Sequence, residues 1–82
     1  MTKINEIVNV NSFYFQNGRE FRSYPRQIEF GNTRFTFQDG LQYVIRQGSS
    51  AFKLFDMTDG KTTFRLRQDG DTWTLIRTRP LN

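Results

Sequence analysis

Between Thr33 and Arg79 apolar and polar residues alternate in short runs, and each run ends in a glycine-centred turn signal. The signals are Gln38-Asp39-Gly40, Gln47-Gly48-Ser49-Ser50, Thr58-Asp59-Gly60 and Asp69-Gly70. Alternation with period two marks a strand with one covered face, and short turns make successive strands antiparallel neighbours. A one-residue slip would move every side chain to the other face, so the pattern also selects loop lengths. A three-residue loop at Gln38-Asp39-Gly40 pairs Phe37 with Leu41, Phe35 with Tyr43 and Thr33 with Ile45. A three-residue loop at Thr58-Asp59-Gly60 pairs Leu54 with Phe64 and Phe52 with Leu66. A two-residue turn at Asp69-Gly70 sets Leu66 opposite Trp73 and Phe64 opposite Leu75. Across Gln47 to Ser50 a four-residue loop faces Ile45 with Phe52 and Tyr43 with Leu54, and Gly31-Asn32 places Ile28 beside Phe35. These registers chain into two core rows. One is Phe35, Tyr43, Leu54, Phe64 and Leu75; the other is Thr33, Ile45, Phe52, Leu66 and Trp73.

Upstream, Glu6 to Phe15 reads as a strand with apolar residues on both faces, as in a strand covered twice or wrapping a corner. Asn17-Gly18 is a strong two-residue hairpin signal that sets Tyr14 opposite Phe21 and Phe13 opposite Arg22. Tyr24-Pro25 predicts a bend, because proline lacks an N–H and restricts its predecessor. Arg26 to Phe30 then resumes as a strand. Residues 1–5 and 80–82 are expected to be frayed tails. The chain is thus expected to be all-β: a single small domain over 1–82, an antiparallel up-and-down meander of seven to eight short strands. A meander of that length curls into a barrel-like or two-layer sheet.

Composition narrows the chemistry more than it identifies it. Eighty-two residues make one domain with a small core, and nine Phe, three Tyr and one Trp supply much of its apolar area. With no Cys and no His, a disulfide framework, a Cys/His zinc site, a thiol nucleophile and an imidazole base are excluded. Asp69-Gly70-Asp71 reads as turn chemistry, and Ser49 and Ser50 have no evident base. The expectation is a non-enzyme with no cofactor and no metal. No apolar run is long enough for a membrane span or a secretory segment, so a cytoplasmic protein is expected.

Net charge is +4, from twelve Lys/Arg against eight Asp/Glu. In the registers above, Arg34, Arg46, Lys53, Arg65 and Arg67 fall on the outward face in one half of the sheet, with Lys53 directly opposite Arg65. Phe55 lies on the same face. Cations there would neutralise phosphates and Phe55 would stack on a base, which predicts a polyanion-binding module, with single-stranded nucleic acid as the leading ligand. An acidic protein surface would satisfy the same charges. The competing reading is a solvated face that discourages edge aggregation. A second functional reading is a protein-interaction or assembly module, including a homo-oligomer formed by sheet edges or by Phe55, Thr63 and Ile76. Arg77 is expected to continue the core face past its rim and to reach Asp56.

Overall fold

The alternation resolves into seven antiparallel strands in a computed structural model that describes residues 2–16 and 22–81. They are β1 (Thr2–Gln16), β2 (Arg22–Phe30), β3 (Thr33–Thr36), β4 (Asp39–Gln47), β5 (Ser50–Thr58), β6 (Thr62–Asp69) and β7 (Thr72–Pro80). No helix occurs among the described residues. The spatial order is β3-β2-β1-β7-β6-β5-β4, so β3 and β4 are the edges and the sheet does not close into a barrel. Two meanders, β1 to β3 and β4 to β7, are joined side by side where β1 meets β7.

β1 does both jobs because it is 15 residues long. Its Thr2 to Val8 half pairs with β7, and its Asn9 to Gln16 half pairs with β2. Register shifts between Lys3 and Glu6 and between Val10 and Phe13 interrupt the ladder. Asn5, inside the first, has φ 55°, a left-handed conformation that asparagine tolerates better than most residues. Such bulges bend and twist a strand. Rings from β2, β3 and the residue after β3 therefore pack onto the inner face of β5, β6 and β7. Tyr24 meets Phe55 edge-on at 6.1 Å, and Phe35 and Phe37 lie 4.9 and 5.2 Å from Phe64. Val8, Ile28, Met57, Leu66, Trp73 and Leu75 complete the buried cluster.

The connection from β3 to β4 crosses between the meanders rather than turning back. Phe37 N–H donates to the Arg26 carbonyl at 2.7 Å, and Gln38 N–H donates to Thr58 at 2.8 Å. Phe35 therefore lies opposite Ile28, as expected, while the expected pairing of Phe35 with Tyr43 does not form.

The largest departure is at the β5–β6 turn. Thr58 pairs with Thr63, leaving Asp59 to Thr62 between them. Asp59 Oδ1 accepts hydrogen bonds from the N–H groups of Lys61 and Thr62, each at 2.9 Å. Gly60, at φ +96°, makes a bend that a side chain would resist. The longer loop slips β5 by an odd number of residues. Leu54 consequently faces Arg67, Phe55 faces Leu66, and Met57 faces Phe64. The β4–β5 ladder is as expected, with Tyr43 opposite Leu54 and Ile45 opposite Phe52. Those residues, read as core, now point to the outer face of the sheet.

At the β6–β7 turn Asp69 pairs with Thr72, so the turn is Gly70-Asp71 and Leu66 faces Leu75 instead of Trp73. The Asn17-Gly18 signal lies outside the described residues. Its flanking register differs from the expected one: Tyr14 faces Tyr24 and Phe13 faces Pro25. β2 runs unbroken through Pro25, which is fully buried. β3 pairs only with Gln27 to Phe30, so no N–H is required of Pro25 on that side. The chain is paired from Thr2, opposite Thr78, and Pro80 still faces Thr62, where tails were expected at both ends.

Candidate functional site

Residues directly opposite in a ladder share a face, so the observed registers define the outer surface row by row. Lys3 faces Arg77, Arg77 faces Arg65, Arg65 faces Asp56, and Asp56 faces Leu41. One row over, Arg79 faces Thr63, Thr63 faces Thr58, and Thr58 faces Asp39. On the other side Ile7, Thr74, Arg67, Leu54 and Tyr43 are aligned, with Phe52 and Ile45 beyond them. The outer face thus divides into a cationic half on β1, β7 and β6 and an apolar half on β5 and β4.

Two carboxylates answer part of that charge. Asp56 takes a bidentate hydrogen bond from Arg65, Nε to Oδ1 at 2.7 Å and Nη2 to Oδ2 at 2.8 Å. Those bonds push the Arg65 guanidinium pKa further up, against the opposing effect of burial. Asp69 holds Arg67 at 2.7 and 3.2 Å and likewise raises its pKa. The Arg67 guanidinium carbon also sits 3.8 Å from the Phe52 ring centroid, a cation–π contact that covers one face of the ring. Asp56, Thr63, Arg65, Arg77 and Arg79 line a small depression. It shares Asp56, Thr63 and Arg79 with a broader groove that Leu41 and Tyr43 also line. A cationic pit therefore opens beside an apolar wall. Leu41 is 60% and Tyr43 42% exposed there.

The six residues singled out from sequence are not brought together. Arg34 stands on β3, the far edge, 3.6 Å from Glu29. Arg46 and Lys53 belong to the inner-face rows of β4 and β5, opposite Ala51 and Val44, and both are exposed because the β4–β5 hairpin extends past the core. Phe55 is 1% exposed between Tyr24 and Trp73, so its ring is core and has no free face on which a base could stack. Arg65 and Arg67 do lie on one outer face. The expected opposition of Lys53 and Arg65 is absent, since Lys53 faces Gln68 and Arg65 faces Asp56. Asp56 is engaged by Arg65, and Arg77, expected to reach it, lines the same depression.

Lys3, Arg77, Arg79, Leu41 and Tyr43 enter the face unanticipated. Arg77 and Arg79 share sequence parity with Trp73 and Leu75, which assigns them to the core side in an unbroken strand. Ile76 interrupts that parity: Leu66 faces Leu75 while Arg65 already faces Arg77, so one extra residue turns both arginines outward. The adjacent apolar pair Leu75-Ile76, which breaks the alternation, is the mark of this bulge in the sequence.

Among the described residues no three Asp, Glu, His or Cys side chains gather as metal ligands. What the face offers is fixed positive charge beside a flat apolar surface. No family model, curated protein or solved structure matches the chain.

Proposed function

We propose that this chain is a non-catalytic binding module whose outer face holds a polyanion, with single-stranded nucleic acid as the ligand class. The observation that carries the reading is the cross-strand alignment of Lys3, Arg77 and Arg65 beside Arg79, in which Asp56 holds Arg65. A row of cations on one face concentrates positive potential there, which attracts an anionic ligand. Phosphates on this row would release counterions, and Tyr43 and Leu41 present a surface on which a base can lie. In this arrangement Arg46 and Lys53 stand on the opposite face, and Arg34 on the opposite edge.

Fluorescence anisotropy with a labelled single-stranded oligonucleotide, titrated at low and at moderate salt, tests the reading. For about four phosphate contacts, raising salt fourfold should weaken binding roughly 50-fold. Reversing two exposed charges, Lys3→Glu with Arg79→Glu, should abolish it, whereas Arg34→Glu should leave it within about twofold. Unchanged affinity in the double reversal, or no binding at low salt, would overturn the proposal.

A further inference from the structure

The two edges of the sheet are treated differently. β3 is four residues long and follows directly on the Gly31-Asn32 turn. β4 is nine residues long, contains no proline and no lysine, and pairs with β5 without a register shift from Asp39 to Gln47. Short strands, bulges, prolines and charged side chains, lysine above all, are the usual means of blocking an edge, and of these β4 carries only Asp39 and Arg46 near its ends.

The β4 groups left unpaired follow from its hairpin. Gln47 faces Ser50 across the two-residue turn Gly48-Ser49, which makes that pair mutually hydrogen-bonded. Alternation then sends the backbone groups of Ile45, Tyr43 and Leu41 toward β5, and aims those of Arg46, Val44, Gln42 and Gly40 away from it. Gly40 N–H is taken by the Asp39 carboxylate at 2.8 Å. Among the described residues the backbone stretch left open is therefore Gln42 to Arg46, and it is symmetric about Val44.

We infer that β4 pairs antiparallel with β4 of a second copy about a two-fold axis at Val44, joining two sheets into one. This assembly goes beyond the polyanion reading and does not depend on it. An isologous contact requires that a segment complement itself, and this one does. Val44 meets its own copy, Gln42 faces Arg46, and Tyr43 faces Ile45, with inner and outer faces conserved. The sole ionised side chain in the stretch, Arg46, faces a neutral amide, so no like charges oppose each other. Val44, 53% exposed, and Tyr43 would both lose solvent contact. Backbone hydrogen bonds along the new ladder supply affinity, as in other strand additions.

Sedimentation equilibrium across a wide concentration range, at high salt and without nucleic acid, reads this directly and separately from polyanion binding. The expected result is a mass that rises from one chain toward two. Val44→Lys places like charges across the axis and should hold the protein at one chain, with its circular dichroism unchanged because Val44 lies outside the core. The chain has no cysteine, so Val44→Cys gives a clean crosslink. Facing residues in a hydrogen-bonded pair sit at about 5.5 Å, within disulfide reach. Mild oxidation should link Val44→Cys into dimers at least tenfold faster than Arg34→Cys on the other edge. A one-chain mass at the highest concentration would sink the proposal. So would a dimer that Val44→Lys leaves intact, or equal crosslinking of the two cysteine variants.

Discussion

β5 carries large apolar side chains on both faces, and the two faces meet opposite fates. On the inner side Phe55 and Met57 are 1% and 0% exposed, enclosed by Tyr24, Phe64 and Trp73. On the outer side Phe52 and Leu54 are half-buried, and what covers Phe52 is the Arg67 guanidinium. Hydrophobicity alone does not rank Phe52 with Leu54 below Phe55 with Met57. The difference comes from the turn. Asp59 bonds to Lys61 and Thr62 and fixes the loop at the length that sets Met57 against Phe64. A strand with two apolar faces leaves its register to its loop, and the displaced face becomes a surface with charge and exposed rings on it.

The sharpest way to break this comparison is to truncate one residue from each face. Phe55→Ala should cost about 3–5 kcal/mol in urea unfolding, the range for a fully buried phenylalanine that leaves a cavity. Its neighbour, Leu54→Ala, should cost under about 1 kcal/mol, because little of its surroundings is enclosed. Equal losses, or a reversed order, would mean that β5 sits in the other register.

A smaller effect probes why β4 turns its apolar side outward. Gly40 faces Met57 across the inner ladder, and a Cβ there would collide with the Met57 sulfur and come within 2.9 Å of the Asp56 carbonyl oxygen. The inner face of β4 has no room at that point. Gly40→Ala should therefore destabilise by about 1–3 kcal/mol, the usual cost of overpacking, as read by thermal unfolding. Gly31→Ala is the converse case, a methyl group in open space but at a positive φ that Gly40 does not have, and so measures backbone strain without a collision.

Sequence alternation sufficed where a strand had one apolar face. In β6, Phe64 and Leu66 are core as expected, and so are Trp73 and Leu75 in β7. The β4–β5 ladder and the facing of Ile28 with Phe35 also follow from pattern and turn type. Where both parities were apolar, the choice fell to side-chain hydrogen bonds in a loop, and an Asx turn differs from a G1-bulge loop by details that composition does not carry. The order of strands was hidden for another reason. β1 lies between β2 and β7 because it is long and bulged, and the segment from Thr36 to Asp39 crosses from one edge to the other. The basic face depended on both features: β1 brings Lys3 beside Arg77, and the bulge at Ile76 turns Arg77 outward. Charges that fell together in the assumed meander, Arg34, Arg46 and Arg65, are dispersed to one edge and two faces.

The smallest effect sharpens the contrast from the inner side, which is intolerant of polar atoms where the outer side is not. Tyr14 stacks on Tyr24 at 5.3 Å, beneath the ring that meets Phe55. Its hydroxyl is buried with no hydrogen-bond partner among the described residues. Burial first, then the negative charge of Asp39 and the proximity of Tyr24, push its pKa above the ordinary 10.0, with Arg26 opposing. A buried hydroxyl without a partner carries a desolvation cost, so Tyr14→Phe should stabilise the protein by about 1 kcal/mol at neutral pH. The sign of the pH dependence follows from proton binding. Above the unfolded value near 10 the unfolded chain loses the Tyr14 proton while the folded chain keeps it, so the native protein loses stability as pH rises toward the folded pKa. Tyr14→Phe lacks that loss, and its advantage should widen from pH 10 upward in paired urea titrations. A constant or shrinking advantage would show that the hydroxyl reaches solvent, and that the inner face is not sealed at this end.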